Sequence, residues 1–188
     1  MIEIPKNWAD LPEDERFLFY SSKGWILSNF AAARFYFNGK WWATAEHAYQ
    51  AAKFKRCDDK FDPERQQAYD SIQDAEDPYT AKEAARMYTN FIRPDWGEVK
   101  LQIMLDIKRA QVKYVPRLKR AIIEFSKCGQ VWLVEDSSKD AFWGRGEDWC
   151  GQNMLGIIYM IIYQEYANPR FSELREQLGL KWVPVCIL

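Results

Sequence analysis

The longest apolar run in the chain, Met154–Tyr163, is the feature that most restricts how the chain can fold. A membrane-spanning helix needs about 20 apolar residues, which is roughly twice the length of this run. A shorter helix that is apolar all round is instead buried in a globular core. We therefore predict a buried helix over residues 153–166. At 188 residues the chain is long enough to bury a substantial core within one domain.

The composition is that of a globular protein with no strong charge preference for a polyanion. The chain is 48% hydrophobic and 28% charged, and its net charge is −1, which disfavours binding to long duplex nucleic acid. Seven basic residues between Lys108 and Lys127 are predicted to lie on solvated helix faces. The four cysteines form no C-x-x-C pair, and Met1–Phe17 is polar and acidic. These features predict a cytoplasmic protein with reduced thiols, no metal site and no membrane association.

Short turn and capping motifs divide the chain into elements. Asn38-Gly39 favours a tight hairpin, and Asp62-Pro63 and Asp77-Pro78 each place a capping carboxylate before a proline at the first helical position. Thr44 is predicted to cap a helix that ends near Arg56. Further helices are predicted over 95–114, 117–125 and 173–178, and strands over 16–20, 130–135 and, at an edge, 182–188. In the helix over 95–114, the apolar residues Val99, Ile103, Ile107 and Ala110 fall on one face. The predicted fold is a single, mainly helical α+β domain with a few short strands, spanning residues 1–188.

The helix after Thr44 carries the first group of chemically useful side chains. Glu46, Gln50 and Lys53 follow at spacings that place them on one helix face. A carboxylate there could activate water or stabilise a cationic sugar transition state. Lys53 could bind a phosphate or hydroxyl, or capture an opened sugar as an imine. The spacing alone is equally typical of a polar stripe on a solvent-exposed face.

The single histidine, His47, limits the available chemistry. One histidine excludes a histidine-rich zinc or iron site within the chain, and a Ser-His-Asp triad could use only this residue. Its neighbours do not suggest a triad. We predict that its imidazole makes a structural hydrogen bond.

A second group of polar and glycine residues precedes the apolar helix. Trp143-Gly144-Arg145-Gly146 is followed by Gly151-Gln152-Asn153, a G-x-G-x4-G spacing that fits neither the dinucleotide fingerprint nor a P-loop. Glycines allow a ligand to approach the backbone, and free amides at a helix start attract phosphate. Asp140 could hold ribose hydroxyls and Trp143 could stack on a ring. An ordinary loop before a core helix explains the same pattern.

In their order and spacing, these segments resemble the NADAR (YbiA-like) family. The matching pieces are Ser28-Asn29-Phe30, the stretch 39–54 with Glu46-His47, the stretch 96–104, and 140–160 with its glycines. The resemblance spans about residues 19–166, so it implies a family core there with N- and C-terminal extensions. It also implies a YbiA-like α+β fold and N-glycosidase chemistry that needs no cofactor and no metal.

The resemblance further assigns expected roles. Glu46 is the main catalytic candidate, with Lys53 and Asp140 beside it. The candidate substrate-binding residues supply amide, ring, glycine and guanidinium groups: Asn29, Phe30, Trp96, Trp143, Gly144, Arg145, Gly146 and Asn153. The implied substrate is a small phosphorylated ribosyl or ADP-ribosyl compound, such as a riboflavin-pathway intermediate or ADP-ribosylated guanine, with ADP-ribosylated nucleic acid as a further candidate.

Two other functions fit the same sequence. A module that binds ADP-ribose or a nucleotide without cleaving it would need the same pocket. A structural partner protein is the third alternative, because the tail Trp182–Leu188 is apolar. Release of a base from a test substrate would distinguish the enzyme from both.

Overall fold

A computed structural model of the protein describes residues 3–20, 22, 24–55, 62–127, 131–167 and 172–181. Within these ranges the chain forms short strands and longer helices in the order β1 Arg16–Phe19, β2 Phe35–Phe37, β3 Lys40–Trp42, α1 Ala45–Ala52, α2 Pro63–Gln73, α3 Pro78–Met87, α4 Trp96–Tyr114, α5 Pro116–Lys127, β4 Trp132–Glu135, α6 Met154–Ala167 and α7 Glu173–Gln177. The prediction of a mainly helical α+β fold is confirmed.

Helix α6 lies at the centre of the core, as the apolar run predicts. From Leu155 to Tyr163 every apolar side chain is at most 6% exposed. The helix packs on β4 and against α5, α4 and α7. Strand β4 pairs in parallel with β1, from Arg16 opposite Trp132 to Phe19 opposite Glu135. None of the helices in the described ranges is long and apolar enough to cross a membrane.

The local signals mark the starts of several elements. The Oδ1 atoms of Asp62 and Asp77 accept the first free amides of α2 and α3, each of which begins at the following proline. Asn38 and Gly39 have φ angles of 51° and 83°, which the turn between the antiparallel strands β2 and β3 requires. Thr44 caps α1 by accepting the His47 amide.

Helix α1 ends earlier than predicted, at Ala52 rather than near Arg56, which lies outside the described residues. The amide of Lys53 donates to the carbonyl of Gln50, so the last turn tightens. The Lys53 carbonyl accepts a hydrogen bond from the amide of Arg93, at 2.8 Å. The chain leaves the helix because this tertiary hydrogen bond replaces the next helical one.

The buried face of α4 differs from the predicted one. Of the predicted apolar positions Val99, Ile103, Ile107 and Ala110, only Ile107 is fully buried. Helices α1, α5 and α6 and strand β2 all pack on α4 and so surround its central turns. Ile103 and Ala110 are half-buried and pack against the core, so the buried surface of α4 includes the predicted face but is wider than it.

Two members of the predicted solvated basic stretch are also buried, which corrects that prediction. Lys108 is 0% exposed and Arg109 is 4% exposed. Arg109 donates from Nε to Glu165 of α6 at 3.0 Å, so a buried ion pair compensates its charge. The other five basic residues of the stretch are exposed or half-buried.

Some predicted features lie outside the described residues. These are the apolar tail 182–188 and the cysteines Cys57, Cys128 and Cys186. The remaining cysteine, Cys150, is an exposed free thiol.

Candidate active site

A cavity of about 520 Å³ lies between α1, α3 and the loop that follows β4. Its lining combines carboxylates, cations, amides and aromatic rings: Asn29, Phe30, Glu46, Tyr49, Gln50, Lys53, Tyr79, Lys82, Arg86, Glu135, Ser137, Lys139, Asp140 and Trp143. The sequence predicted six of these as site residues, and they come from three separate stretches of the chain. The fold therefore brings together all three residues to which catalysis was assigned, Glu46, Lys53 and Asp140.

Glu46 is the most deeply buried of the predicted catalytic groups. It sits in the first turn of α1, and its backbone amide donates to the carbonyl of Asn29 at 3.0 Å. Its side chain is 5% exposed, and its Oε1 accepts a 2.7 Å hydrogen bond from Gln50 Nε2. Burial raises the pKa of Glu46, against the hydrogen bond from Gln50 and the charges of Lys82 and Lys53, which lower it. The polar stripe on α1 is thus an internal surface, not a solvated one.

Lys53 reaches the same cavity from the other end of α1. Its ammonium nitrogen lies 5.7 Å from the ring centroid of Tyr49 and 5.9 Å from that of Trp96, within cation–π range. Burial lowers the pKa of Lys53, while the negative charge of Glu46 raises it. The site therefore contains a partly desolvated amine and a desolvated carboxylate that influence each other's protonation.

Two amide groups of the cavity wall present unused acceptors. Asn29 Oδ1 and Gln50 Oε1 are buried and have no hydrogen-bond partner among the residues that the structure describes. Their residues are 8% and 4% exposed and both line the cavity. Buried polar atoms without partners are costly, so atoms of this kind at a cavity wall are suited to ligand hydroxyl or amino groups.

The contacts of His47 indicate a structural role, as predicted. It is 1% exposed, its Nδ1 lies 2.8 Å from Thr44 Oγ1, and its Nε2 lies 3.1 Å from the carbonyl oxygen of Ala75. A carbonyl can only accept, so Nε2 carries the proton and Nδ1 accepts from the threonine hydroxyl. Burial lowers the pKa of His47, which favours this neutral form. The imidazole ties α1 to the turn after α2.

The loop between β4 and α6 contributes Asp140 and Trp143. Asp140 Oδ1 accepts the amides of Phe142 at 3.0 Å and Trp143 at 2.8 Å, which fixes the turn. The indole of Trp143 meets the ring of Tyr49 edge-on at 5.3 Å between centroids. Both residues therefore form a rigid wall of the cavity opposite α1.

Other predicted ligands of this loop make contacts elsewhere. Arg145 pairs with Asp136, donates to the Gly146 carbonyl at 2.8 Å and lies 4.1 Å above the ring of Trp149. Gly144 and Gly146 do not line the cavity either. Direct ligand contact by Gly144, Arg145 and Gly146 stays a prediction.

The start of α6 is not a free anion site. The amides of Asn153, Met154 and Leu155 donate to loop carbonyls at 3.0–3.1 Å. The Asn153 side chain bonds to the backbone of β4, at 2.9 Å to the Glu135 amide and 2.8 Å to the Leu133 carbonyl. The loop carbonyls therefore accept the hydrogen bonds of the backbone amides that a phosphate would need, which favours a structural role for this helix start.

Trp96, the last predicted ligand, stands behind the cavity wall. Its ring lies 5.0 Å from that of Tyr49 and near the Lys53 ammonium group, but it does not line the cavity. It contacts Tyr49 and Lys53, which both line the cavity. Its role as a ring platform stays a prediction.

Sequence reasoning missed the residues that α3 and β4 contribute. Tyr79, Lys82 and Arg86 follow at helical spacing along α3, so this face could have been found from periodicity. Glu135 ends β4 and is 4% exposed. An acidic residue closing a buried strand is a usable signal, because the ends of strands commonly form sites. Lys139 offers no comparable signal.

The lining contains carboxylates, amides and amines, but among the described ranges no group of three or more His, Cys, Asp or Glu side chains could hold a metal ion. The side chains of the lining can supply proton transfer, charge stabilisation and hydrogen bonding. An amine nucleophile, Lys53, is also present.

Comparison with known proteins gives a consistent match. The model of the NADAR domain matches residues 18–166. N-glycosidase YbiA of Escherichia coli (strain K12) is 32% identical over 155 residues, covering 82% of each chain. N-glycosidase Npun_R5314 of Nostoc punctiforme is 33% identical, covering 76% of this chain and 85% of its own. The NMR structure of E. coli YbiA superposes with a TM-score of 0.64 at 29% identity, covering 93% of this chain and 90% of that one.

A third relative is a longer protein. Riboflavin biosynthesis protein VVA0006 of Vibrio vulnificus is 34% identical over 140 residues, which cover 74% of this chain and 35% of that protein.

Proposed function

This chain belongs to the NADAR family, and on that basis we propose that it is an N-glycosidase. The proposed reaction hydrolyses the bond between a ribose carbon and a nitrogen base in a phosphorylated ribosyl or ADP-ribosyl compound. Relatives that share about a third of its residues over most of its length are named N-glycosidases. The observation that carries the proposal is the buried carboxylate of Glu46 in a cavity that also holds unpaired amide acceptors.

In the proposed mechanism Glu46 acts at the anomeric carbon. As the bond to the base breaks, positive charge develops on the sugar, and a desolvated carboxylate stabilises it strongly. A water then adds to the same carbon and gives one proton to Glu46, and this proton passes to the departed base. The products are a sugar with a new hydroxyl and the protonated base. Burial raises the pKa of Glu46, which makes its carboxylate a stronger base towards that water.

The other lining residues fit the parts of such a substrate. Asn29 Oδ1 and Gln50 Oε1 can accept hydrogen bonds from ribose hydroxyls, and Asp140 can do the same from the opposite wall. The rings of Phe30 and Trp143 can flank the base or the sugar face.

The cations of the cavity suit the phosphate. Lys82, Arg86 and Lys139 are more exposed than Glu46, which favours a phosphate near the mouth and the scissile bond deeper. Lys53, the buried cation, can hold a hydroxyl or phosphate oxygen, or attack the opened sugar as a neutral amine. Trapping with borohydride distinguishes these roles, because only an imine is reduced to a stable adduct.

The test is a product assay on two substrate pools. One contains ribosylamino-pyrimidine phosphates of the riboflavin pathway, and the other contains ADP-ribosylated guanosine with its DNA form. We expect mass spectrometry to show products from one pool: a free pyrimidine and ribose phosphate from the first, or ADP-ribose and unmodified guanosine or DNA from the second. Glu46→Gln should lower turnover by about 10²- to 10⁴-fold, the usual contribution of such a group.

A matched control is Glu98→Gln, which alters an exposed glutamate in the first turn of another helix, α4. It should leave turnover unchanged. Near-normal turnover by Glu46→Gln on a confirmed substrate would show that the catalytic assignment is wrong.

The second candidate is a binding module for ADP-ribose or a nucleotide. The observation that favours it is the set of cations and unpaired acceptors, which would hold a ligand equally well without cleavage. This candidate predicts thermal stabilisation by ADP-ribose with no base released from either pool.

A further inference from the structure

A buried lysine lies next to the proposed site but does not line its cavity. Lys108, in the middle of α4, is 0% exposed. Its Nζ donates to Gln111 Oε1 at 3.0 Å and lies 5.1 Å from the ring centroid of Tyr159 on α6. Neither partner carries a negative charge, so these contacts alone do not compensate a buried ammonium group.

The compensating charges come from the cavity lining. The carboxylates of Glu135, at the end of β4, and of Glu46, on α1, are the two charges that act on Lys108. Both residues are at most 5% exposed, so little water screens the interaction. Two cavity carboxylates on different elements therefore share one counterion from a third element.

Among the described residues, the third buried carboxylate on an element packed against α4 or beside it is Glu165 of α6, and Arg109 and Arg175 already pair with it. Of the elements packed on α4, β2 has no charged residue. The charged residues of α5 are exposed or half-buried. On α6, the aromatic ring of Tyr159 faces the ammonium group, and the Tyr159 hydroxyl donates to the carbonyl of Leu27 at 2.8 Å.

We propose that Lys108 is a positioning residue of the glycosidase site, whose buried ammonium group favours the ionised form of Glu46. The proposal rests on the proposed function. Lys108 does not touch the substrate; it acts through Glu46, with Glu135 as the second carboxylate of the same charge cluster.

The protonation of Lys108 sets the pH range in which this effect operates. Burial lowers the pKa of Lys108 to about 7, while Glu135 and Glu46 raise it. Below that pH the amine carries its charge, and the charge of Lys108 lowers the pKa of Glu46. The effect of Lys108 on Glu46 is therefore strongest below about pH 7 and weakens above it.

The test replaces the charge and keeps the shape, with Lys108→Met. Without the counterion, the titration midpoint of Glu46 should move up by about half a pH unit or more. The midpoint is followed by the 13C shift of the Glu46 side-chain carboxyl carbon, assigned with Glu46→Gln. The acid limb of kcat/KM should move by the same amount in the same direction. Lys113→Met, at an exposed position of the same helix, is the matched control and should move neither.

A reciprocal measurement covers the case in which Lys108→Met does not fold. The 13Cε titration of Lys108 is followed in the native protein and in Glu46→Gln and Glu135→Gln. Each variant removes one negative charge, so each should lower the Lys108 midpoint. Either of two results overturns the proposal. In the first, the Glu46 midpoint in Lys108→Met stays within about 0.2 pH unit of the native value. In the second, neither glutamate variant moves the Lys108 midpoint.

The two proposals fail in distinguishable ways. The carboxyl and amine titrations need no substrate, so they test Lys108 even if neither substrate pool is cleaved. If the native protein cleaves a substrate but Lys108→Met keeps the native acid limb, only the role of Lys108 is refuted.

Discussion

The side chain of Asn153 joins the start of α6 to β4. Its removal should lower the free energy of unfolding more than a typical surface substitution does. Its side chain is 0% exposed. Its Oδ1 accepts the Glu135 amide at 2.9 Å and its Nδ2 donates to the Leu133 carbonyl at 2.8 Å. Its φ angle is 49°, in the left-handed region that asparagine tolerates better than alanine does. Asn153→Ala removes both hydrogen bonds and adds backbone strain.

The expected loss follows from these three effects. Each backbone group left buried without its partner costs about 1–3 kcal/mol. Alanine in the left-handed region costs about 1 kcal/mol more. The free energy of unfolding should therefore fall by about 3–7 kcal/mol, a large part of the usual 5–15 kcal/mol total. For a chain of this size the lower figure corresponds to a fall in Tm of about 6–12 °C.

Urea unfolding followed by far-UV circular dichroism measures this loss directly. Asn153→Gly is a useful second variant, because glycine tolerates the backbone angle but also lacks the hydrogen bonds. Its free energy of unfolding should exceed that of Asn153→Ala by only about 1 kcal/mol, the backbone strain that alanine adds. Asn90→Ala, at an exposed asparagine, should stay within about 0.5 kcal/mol of the native protein.

The reasoning is refuted if Asn153→Ala loses less than about 1 kcal/mol with an unchanged m-value. A variant of native stability with a raised KM would instead favour the ligand role expected from the family resemblance.

Two further predictions concern the same core and the same site. Gly156→Ala should lower the free energy of unfolding by at least about 3 kcal/mol, because its Cβ would lie 1.9 Å from the Leu133 carbonyl oxygen. Native stability of this variant in the urea assay would contradict the close packing of α6 on β4. Glu46→Gln should raise Tm at neutral pH while it lowers turnover. Burial raises the pKa of Glu46 above 4.5, so the folded state holds its proton more tightly and the native protein loses stability as pH rises through that pKa. The gap in Tm between variant and native protein should therefore close as the pH falls towards 4.5, and a gap that does not depend on pH would disprove this account.

The elements that sequence could predict are those fixed by local chemistry. An aspartate before a proline satisfies the first free amides of a helix whatever the helix packs against, so α2 and α3 begin where predicted. The turn at Asn38-Gly39 depends only on the backbone angles of those two residues. The placement of Glu46 and Lys53 on one cavity wall follows from their spacing within a single helix.

What sequence could not predict depends on contacts between distant elements. Lys108 lies within a basic stretch that is otherwise exposed or half-buried, apart from Arg109. It is buried because α1 and α6 pack on α4 from different directions, and because Glu135 and Glu46 supply its charge partners. Periodicity along α4 carries no information about either fact. Likewise, the part of the cavity formed by Tyr79, Lys82 and Arg86 needs α3 to lie beside α1.

The glycine-rich loop shows why a pattern that suggests a ligand can have a packing cause. A Cβ on Gly151 would lie 2.5 Å from the Gly144 carbonyl oxygen, and one on Gly144 would lie 2.7 Å from the Ser137 Cβ. The spacing G-x-G-x4-G is therefore explained by a loop folded tightly against itself and the end of β4. That compactness fixes Asp140 and Trp143 in the cavity wall. The glycines thus serve the site through the positions of these two side chains, which gives a reason for their presence that needs no phosphate on the backbone.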